Sequence, residues 1–325
     1  PELLYPIIKV LREENENTFS YELKENLVLI TGGGEEYKIS LQEFKTQATK
    51  LLEKIKNSST TTFEIPETSA FLERFGCKSI KASASSKTDI RIVIHDARTS
   101  NNPELGFSIK SQLGGASTLL NAGKTTNFVY EIVGKPLLDE QINTINNINT
   151  RSKIVDRISA IKAADNSLKF VGTQNSTFGN NLILIDSKLP EVIADIVLRY
   201  YSSKTAKLSQ LLIETENANP IGYDTTSTQP YYSYKVKRLL TDIALGMMPS
   251  KVWTGELTAT GGYLVVKTNG EILCYHVYNR NAFEDYLLNN TKLETGSSSR
   301  HGFGVVVKHG GKSFFNLNLQ IRFIK

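Results

Sequence analysis

The chain has few of the residues that build metal clusters and disulfide frameworks. Its 325 residues include two cysteines, one tryptophan and two methionines. Cys77 and Cys274 lie far apart, and no CxxC or HxxxH spacing occurs, so a structural zinc site is not expected. Two distant thiols are typical of a reducing compartment, and we therefore expect a cytoplasmic protein.

Long apolar runs are also missing. No run approaches the ~18 residues that a membrane-spanning helix needs, and no signal peptide opens the chain. We therefore expect no membrane partner. The first residue is Pro1 rather than methionine, which leaves open whether the natural N-terminus, and with it a further acidic metal ligand, precedes it.

Two glycine-containing segments resemble nucleotide-binding loops but have incomplete spacing. Residues 32–34 lack the GxGxxG pattern and no long helix follows them directly, which favours a hairpin turn. Residues 123–125 match the end of a Walker A loop, but Thr118 stands where its first glycine is needed. A nucleotide-dependent enzyme is therefore the weakest of the functions considered.

What the chain has is ordinary globular composition with a modest positive charge. It is 40% apolar and 22% charged, with a net charge of +5 and a pI of about 8.9. Such a chain can bury a large core. The charge favours a polyanionic partner without requiring one.

One predicted hairpin carries the catalytic candidates. Two apolar-alternating runs, 88–94 and 105–113, flank a Thr-Ser-Asn-Asn-Pro loop, which is typical of a β-hairpin. Residues two apart share a face of a strand. The face expected in the core carries Ile90, Ile92, Ile94, Phe107 and Ile109. The opposite, polar face carries Asp89, Ser108, Lys110 and Gln112.

The polar face has the groups that metal-assisted phosphodiester hydrolysis uses. Asp89 can hold Mg²⁺, which polarises a phosphoryl oxygen and supplies a water. Lys110 can orient that water and stabilise the charge that develops on phosphorus. Ser108 stands where a second carboxylate usually precedes the lysine, so Ser108 or Gln112 would instead hold a metal-bound water. Glu73, on a predicted helix, is a further candidate ligand, although a solvated carboxylate is its simpler interpretation.

Two polar segments are candidates for DNA contact. Residues 117–128 are dense in hydroxyl and amide groups around one lysine, a composition suited to phosphate and base-edge contacts. Residues 297–302 form a predicted flexible loop with adjacent arginine and histidine, and arginine can make a bidentate contact to guanine. A plain solvent-exposed loop is the alternative. The expected DNA contacts are Asn121, Lys124, Thr125, Thr126, Asn127, Arg300 and His301.

These segments together resemble a family of nucleases. "SKTDI", "GFSIKSQLG" and "STLLNAGKTTNF" are similar to the core of type II restriction endonucleases of the PD-(D/E)xK superfamily. More narrowly, they resemble the HpaII family, in which serine replaces the second acidic residue. The likeness extends through "GEILCYHVYNRNAFEDYLLNNTKLET", "SSSRHGFG" and "LNLQIRF".

The resemblance implies Mg²⁺-dependent cleavage of double-stranded DNA at CCGG, which leaves 5′-phosphate ends. Asp89, helped by the carbonyl of Ile109, would be the metal ligand. A cognate DNA methyltransferase would be the functional partner. A homodimer would match a palindromic site, while a monomer that cuts the strands in turn stays open.

We predict an α/β fold with a restriction-endonuclease-like core. A mixed central sheet around the Asp89 and Lys110 strands is flanked by helices and has additional N- and C-terminal β elements. The expected domains are an N-terminal β/α region over 1–60 and a catalytic and DNA-binding domain over 61–325. Helices are predicted over 1–12, 41–56, 67–75, 137–164, 190–201 and 234–247, and a short buried strand over 181–185.

A DNA-binding protein that kept a nuclease scaffold but lost cleavage is the alternative function. The serine at position 108 raises it, since the second carboxylate is absent. The presence of both Asp89 and Lys110 argues against it, because binding alone does not need that pair. Mg²⁺-dependent nicking of a plasmid would distinguish the two.

Overall fold

The computed structural model describes residues 6–14, 17–58, 64–77, 88–113, 115–203, 205–226, 228–277 and 280–324. The chain forms two compact units. Unit 1 contains Pro1–Ser117 and Leu257–Asn279, and unit 2 contains Thr118–Glu256 and Arg280–Lys325. The expected division of the chain at residue 60 stays a prediction.

The described strands and helices mostly occur in runs along the chain. The strands are β1 (Ile7–Glu14), β2 (Asn17–Lys24), β3 (Leu27–Gly32), β4 (Glu35–Ser40), β5 (Ile90–Ile94), β6 (Glu104–Ser111), β7 (Thr118–Leu120), β8 (Asn127–Gly134), β9 (Asn166–Thr173), β10 (Gly262–Val266), β11 (Ile272–His276), β12 (Thr291–Leu293), β13 (Val306–His309), β14 (Lys312–Asn318) and β15 (Ile321–Phe323). The helices are α1 (Leu41–Asn57), α2 (Pro66–Glu73), α3 (Asp139–Asn147), α4 (Lys153–Ala163), α5 (Ser176–Ile185), α6 (Leu189–Ser202), α7 (Leu208–Ala218), α8 (Tyr231–Leu245), α9 (Arg280–Asn289) and α10 (Ser298–His301).

An eight-stranded mixed sheet forms the body of unit 1. Its order is β11-β10-β6-β5-β1-β2-β3-β4, and the neighbours are antiparallel except for the parallel pair β10 and β6. Helices α1 and α2 pack on the β2–β4 end through a cluster that includes Phe19, Ile30, Phe44 and Phe71. The predicted α/β class with a mixed sheet and flanking helices is therefore confirmed.

The predicted helix over 1–12 is wrong within the described residues, because Ile7–Glu14 is a strand. It lies between β2 and β5, so that Val10 pairs with Tyr21 on one side and Ile92 on the other. Backbone pairing along both edges and a β-branched composition outweigh the local helical pattern. The sheet therefore extends from the predicted hairpin into the N-terminal strands.

Glycine-containing turns close the predicted hairpins. Gly33 and Gly34 have φ values of +61° and +86°, as a type I′ turn between β3 and β4 requires. Gly310 and Gly311, with φ of +57° and +76°, do the same between β13 and β14. The Asn-Gly pair at 269–270 predicts a type I′ turn between β10 and β11. The hairpin is present, but only Gly270 of the pair has positive φ, so the predicted turn type is wrong. The glycines at 32–34 therefore belong to a hairpin.

Unit 2 combines two small sheets with eight helices among its described residues. The sheets have the orders β13-β14-β8-β9 and β12-β15-β7. The predicted helix over 137–164 is interrupted and forms α3 and α4. The predicted strand over 181–185 is wrong, because Asn175 caps a helix by accepting from the Phe178 amide at 2.9 Å. Phe178 and Leu182, one helical turn apart, are then both buried.

The described helices contain none that is long and apolar enough to cross a membrane.

Candidate functional site

The carboxylate of Asp89 is fixed against strand β6. Its backbone amide donates to the Phe107 carbonyl at 2.9 Å, which continues the β5–β6 ladder by one residue. Its Oδ2 accepts from the Ile109 amide at 2.6 Å and from the Ser108 hydroxyl at 3.1 Å. The side chain is otherwise exposed. Two donors therefore orient one oxygen, while the carboxylate stays accessible to a cation.

Lys110 lies on the same face of the hairpin and is partly buried. Its Nζ stands 5.1 Å from the ring centroid of Tyr263, which is buried on the neighbouring strand β10 in register with Ser108. Burial lowers the pKa of the Lys110 ammonium, and the nearby Asp89 carboxylate opposes that shift. The ammonium thus sits between an aromatic face and a carboxylate. We refer to Asp89, Ser108 and Lys110, with Tyr263 beneath them, as the Asp89–Lys110 corner.

The other candidate residues on and after β6 differ in their burial and in their hydrogen bonds. Ser108 is only 4% exposed and its hydroxyl donates to Asp89, so it orients the carboxylate. Gln112 follows the end of β6, with its amide bonded to the Val266 carbonyl at 2.9 Å and its side chain exposed. Ile109 was expected in the core but is 42% exposed. It lies near the end of β6, where the sheet face opens to solvent.

The donor set at the corner is small. Within the described part of the chain, no group of three histidine, cysteine or acidic side chains could hold a metal ion. Glu73 is exposed at the end of α2. Mg²⁺ typically keeps several waters and takes one or two carboxylates together with substrate phosphate oxygens. One accessible carboxylate and nearby backbone carbonyls fit such a loosely held ion. The basic, Ser-rich segment over 78–87, which precedes the predicted strand over 88–94, lies outside the described residues.

In unit 2, the predicted loop over 297–302 is an ordered helical turn, so the expectation of a flexible loop is wrong. Ser297 caps α10 by accepting from the Arg300 amide at 3.4 Å, and Gly302 ends it with a φ of +65°. Only glycine adopts that left-handed conformation without strain. Arg300 therefore stands on a capped helical turn.

Buried amides tie α10 to the segment before β8. Asn127 is 0% exposed, and its Nδ2 donates to the His301 carbonyl at 2.9 Å and to Gln174 Oε1 at 2.7 Å. Asn318 donates to Asn127 Oδ1 at 2.7 Å and to the Gly123 carbonyl at 2.8 Å. These bonds hold the 3-10 turn Lys124–Thr126 beside α10, although the two segments are far apart in the sequence.

The seven expected DNA contacts therefore fall into two groups. Thr126 and Asn127 are buried, and their polar side chains bond within the protein. The others are exposed or partly exposed on the turn and on α10: Asn121, Lys124, Thr125, Arg300 and His301. We call these five the turn–α10 surface.

Comparison with known proteins places these features in a family. The family model of HpaII restriction endonuclease matches residues 1–323. The chain is also 46% identical over 325 residues to the Type II restriction enzyme HpaII of Haemophilus parainfluenzae, covering 99% of this chain and 89% of that protein. The chain belongs to the HpaII restriction endonuclease family. No solved structure matches it.

Family membership settles the class of activity. The protein is a type II restriction endonuclease, a site-specific deoxyribonuclease, and its substrate is double-stranded DNA. The family indicates a requirement for a divalent metal ion. Cleavage is thereby favoured over the alternative of a nuclease scaffold that only binds DNA.

Three residues that shape these two sites were not predicted from the sequence. Tyr263 supports Lys110 from a strand that pairs in parallel with β6. Asn318, which is buried, and Gln174, which is exposed, both bond to the Asn127 side chain. Asn318 lies in the segment "LNLQIRF", but a single asparagine between leucines gives no sign that it is buried. Only the tertiary structure reveals these three.

Proposed function

We propose that the enzyme hydrolyses duplex DNA at CCGG with Mg²⁺ and leaves 5′-phosphate and 3′-hydroxyl ends. The observation that carries the chemistry is the Asp89 carboxylate, held by two donors beside a partly buried lysine. The tetranucleotide rests on the resemblance to the HpaII family. Unlike the chemistry, it does not follow from the contacts within the chain.

Each residue of the Asp89–Lys110 corner has a proposed role. Asp89 and the carbonyl of Ile109 would hold the metal, which would supply polarisation of the scissile phosphate and an activated water. Lys110 orients that water and stabilises charge on the phosphoryl oxygens. Ser108 keeps the carboxylate in position through its hydrogen bond. Gln112 is exposed after β6, and its proposed role is to bond a water where a second carboxylate is absent.

Sequence reading is assigned to the turn–α10 surface. Arg300 is exposed on a capped helical turn, and arginine pairs with guanine O6 and N7 in the major groove. Asn121 can read the exposed groups of a G·C pair, and Lys124 and Thr125 can contact phosphates. His301 is a further candidate contact beside Arg300. Thr126 and Asn127 contribute by holding this surface in shape.

The biological setting follows from the same proposal. A cytoplasmic enzyme that cuts CCGG requires a DNA methyltransferase that protects the cell's own sites. A homodimer is the assembly that fits a palindromic target, because its two-fold axis matches that of the site. Methylation of the inner cytosine puts a methyl group on the major-groove edge that the enzyme reads.

Digestion of three matched duplexes tests the proposal. One contains CCGG, one contains CCGG methylated at the inner cytosine, and one lacks the site. With Mg²⁺ the first should be cut and the other two left intact, and EDTA should abolish cutting. Equal cutting of all three would contradict both the proposed site and its reading. Mapping the ends by sequencing would check the 5′-phosphate.

A further inference from the structure

Many cations of unit 2 are neutralised by carboxylates. Lys235 pairs with Asp186, Arg280 with Glu284, and the same holds along most of its helices. Arg157 is buried and donates to backbone carbonyls, including that of Ile148 at 2.8 Å. Such cations serve the fold, and they are not available to a ligand without loss of those bonds.

Four basic residues without a carboxylate partner lie near one another. Within the described residues, no ion pair or side-chain hydrogen bond involves Lys124, Arg151, Lys153 or Arg300. Lys124 and Arg300 belong to the turn–α10 surface. Arg151 and Lys153 stand at the start of α4, whereas Lys162, which is also unpaired, lies near its other end. Four unpaired positive charges are therefore gathered at this part of unit 2.

A cavity of about 310 Å³ joins the start of α4 to α10. Arg151, Ser152 and Lys153 line one side. The other side is formed by Thr295 and the segment 297–299. None of the lining residues is acidic, so the charge that the cavity presents is positive and its remaining polar groups are hydroxyls.

The nearest carboxylate in the sequence is occupied elsewhere. Asp156, on the first turn of α4, accepts from the Ser152 hydroxyl at 3.0 Å and from the Thr150 hydroxyl. It therefore stabilises the start of the helix and leaves the two cations unneutralised. A cavity with an unpaired arginine and an unpaired lysine favours binding of an oxyanion, because arginine can donate two parallel hydrogen bonds to two oxygens of such a group.

We infer that this cavity binds a backbone phosphate of the duplex, with Arg151 and Lys153 as its charged contacts. The inference rests on the proposed DNA-cutting function and assigns residues that the turn–α10 surface does not include. Segment 297–299 lines the cavity, and Arg300 follows it directly. A phosphate held there fixes the register of α10, because phosphate contacts position a protein while base contacts specify sequence.

Salt dependence separates this role from base reading. Binding of a CCGG duplex and of a scrambled duplex is measured by fluorescence anisotropy in Ca²⁺ over a range of salt concentrations. For Arg151→Gln/Lys153→Gln, the slope of log K against log salt should fall by roughly 0.9 for each phosphate that the protein no longer neutralises. Affinity should fall by a similar factor on both duplexes. The single variant Arg151→Lys keeps both positive charges, so it should keep most of the wild-type slope.

Lys162→Gln is the matched control. Lys162 is an exposed residue near the other end of α4, and no described carboxylate pairs with it. Its removal should leave the slope nearly unchanged. An unchanged slope and affinity in the double variant, or an equal loss in the control, would overturn the inference. Wild-type protein that neither binds nor cuts CCGG would instead overturn the proposed function, and melting curves confirm that each variant is folded.

Discussion

The Asp89–Lys110 corner of unit 1 and the turn–α10 surface of unit 2 are assembled in different ways. The corner uses neighbouring strands of one hairpin, and its carboxylate and ammonium come from residues 89 and 110. The surface joins residues near 124 to residues near 300 through buried asparagines. The proposed catalytic residues thus come from one local hairpin, while the proposed recognition surface depends on a network that spans the unit.

The largest expected effect concerns the corner. Asp89→Asn removes the charge that we propose holds the metal, while keeping an oxygen that can accept from Ile109 and Ser108. Cleavage should fall by at least ~10³-fold, since metal stabilisation of the transition state is several kcal/mol. Single-turnover cleavage of a CCGG duplex with Mg²⁺ measures this.

Glu104→Gln is the control for that loss, because Glu104 is an exposed carboxylate at the start of β6 that pairs with Arg91. It should cut at close to the wild-type rate. Cleavage at the wild-type rate by Asp89→Asn would show that the catalytic carboxylate lies outside the Asp89–Lys110 corner.

The next effect concerns the amide network. Asn318→Ala removes the donor to the buried Asn127 Oδ1, and an unsatisfied buried group costs ~1–3 kcal/mol. The Gly123 carbonyl also loses a bond but still accepts from Thr126. The free energy of unfolding should fall accordingly, and DNA affinity should fall with it as the turn and α10 lose their shared support. Urea unfolding and DNA binding measure the two.

Asn290→Ala is the control for Asn318→Ala, because it removes an exposed hydrogen bond and not a buried one. Asn290 is exposed and donates to the Tyr286 carbonyl at 2.9 Å. Loss of that bond should change the free energy of unfolding by under ~1 kcal/mol, because water replaces the partner. Equal stability of the two variants would show that the buried network does not support unit 2.

Ser108→Ala should have a smaller effect on cleavage. It removes one of the two hydrogen bonds to Asp89 Oδ2 and leaves the bond from Ile109. A loss of about 1.4 kcal/mol corresponds to a cleavage rate ~10-fold lower. Complete inactivation of a folded variant would indicate a direct role for the hydroxyl, whereas an unchanged rate would show that Ser108 does not orient the carboxylate.

The smallest effect is the pH dependence of stability in the metal-free protein. Burial lowers the pKa of Lys110 in the folded state below 10.5. At neutral pH the lysine is charged in both states and the burial penalty is fully present. Between the lowered pKa and 10.5 the unfolded state binds more protons, so stability rises with pH. Lys110→Met should therefore stabilise the protein at neutral pH.

That advantage should shrink as the pH rises toward 10.5, where the wild-type lysine is neutral when folded. Urea unfolding in EDTA from pH 7 to 10 measures it. A methionine variant that is less stable than the wild type at neutral pH would mean that attraction to Asp89 outweighs burial, contrary to our account of the corner.

The sequence was sufficient for the corner because strand alternation has a period of two. Asp89, Ser108 and Lys110 were placed on one face from the apolar positions alone, and β5 and β6 pair as expected. The exposure of Ile109 was not predicted, since alternation fixes a face but not how far that face is covered. The parallel partner β10, which supplies Tyr263, was also missed because it lies about 150 residues later.

Unit 2, which carries the turn–α10 surface, shows which features local sequence patterns do not predict. Asn127 was expected to contact DNA because it lies in a segment rich in hydroxyl and amide groups. It is instead buried, and its side chain bonds to other amides. Asn175 capped a helix where a run of apolar residues had suggested a strand. In both cases one hydrogen bond with a specific partner determined the outcome, and composition does not identify partners.

One measurement tests most directly whether cutting and reading reside on these two surfaces. Ca²⁺-supported binding and Mg²⁺-supported cleavage are compared for Asp89→Asn and Arg300→Ala on CCGG and on a duplex with one base pair changed. Asp89→Asn should keep the wild-type preference for CCGG and fail to cut. Arg300→Ala should still cut but lose ~1–3 kcal/mol of discrimination between the duplexes. Full discrimination by Arg300→Ala, or its loss in Asp89→Asn, would contradict the account.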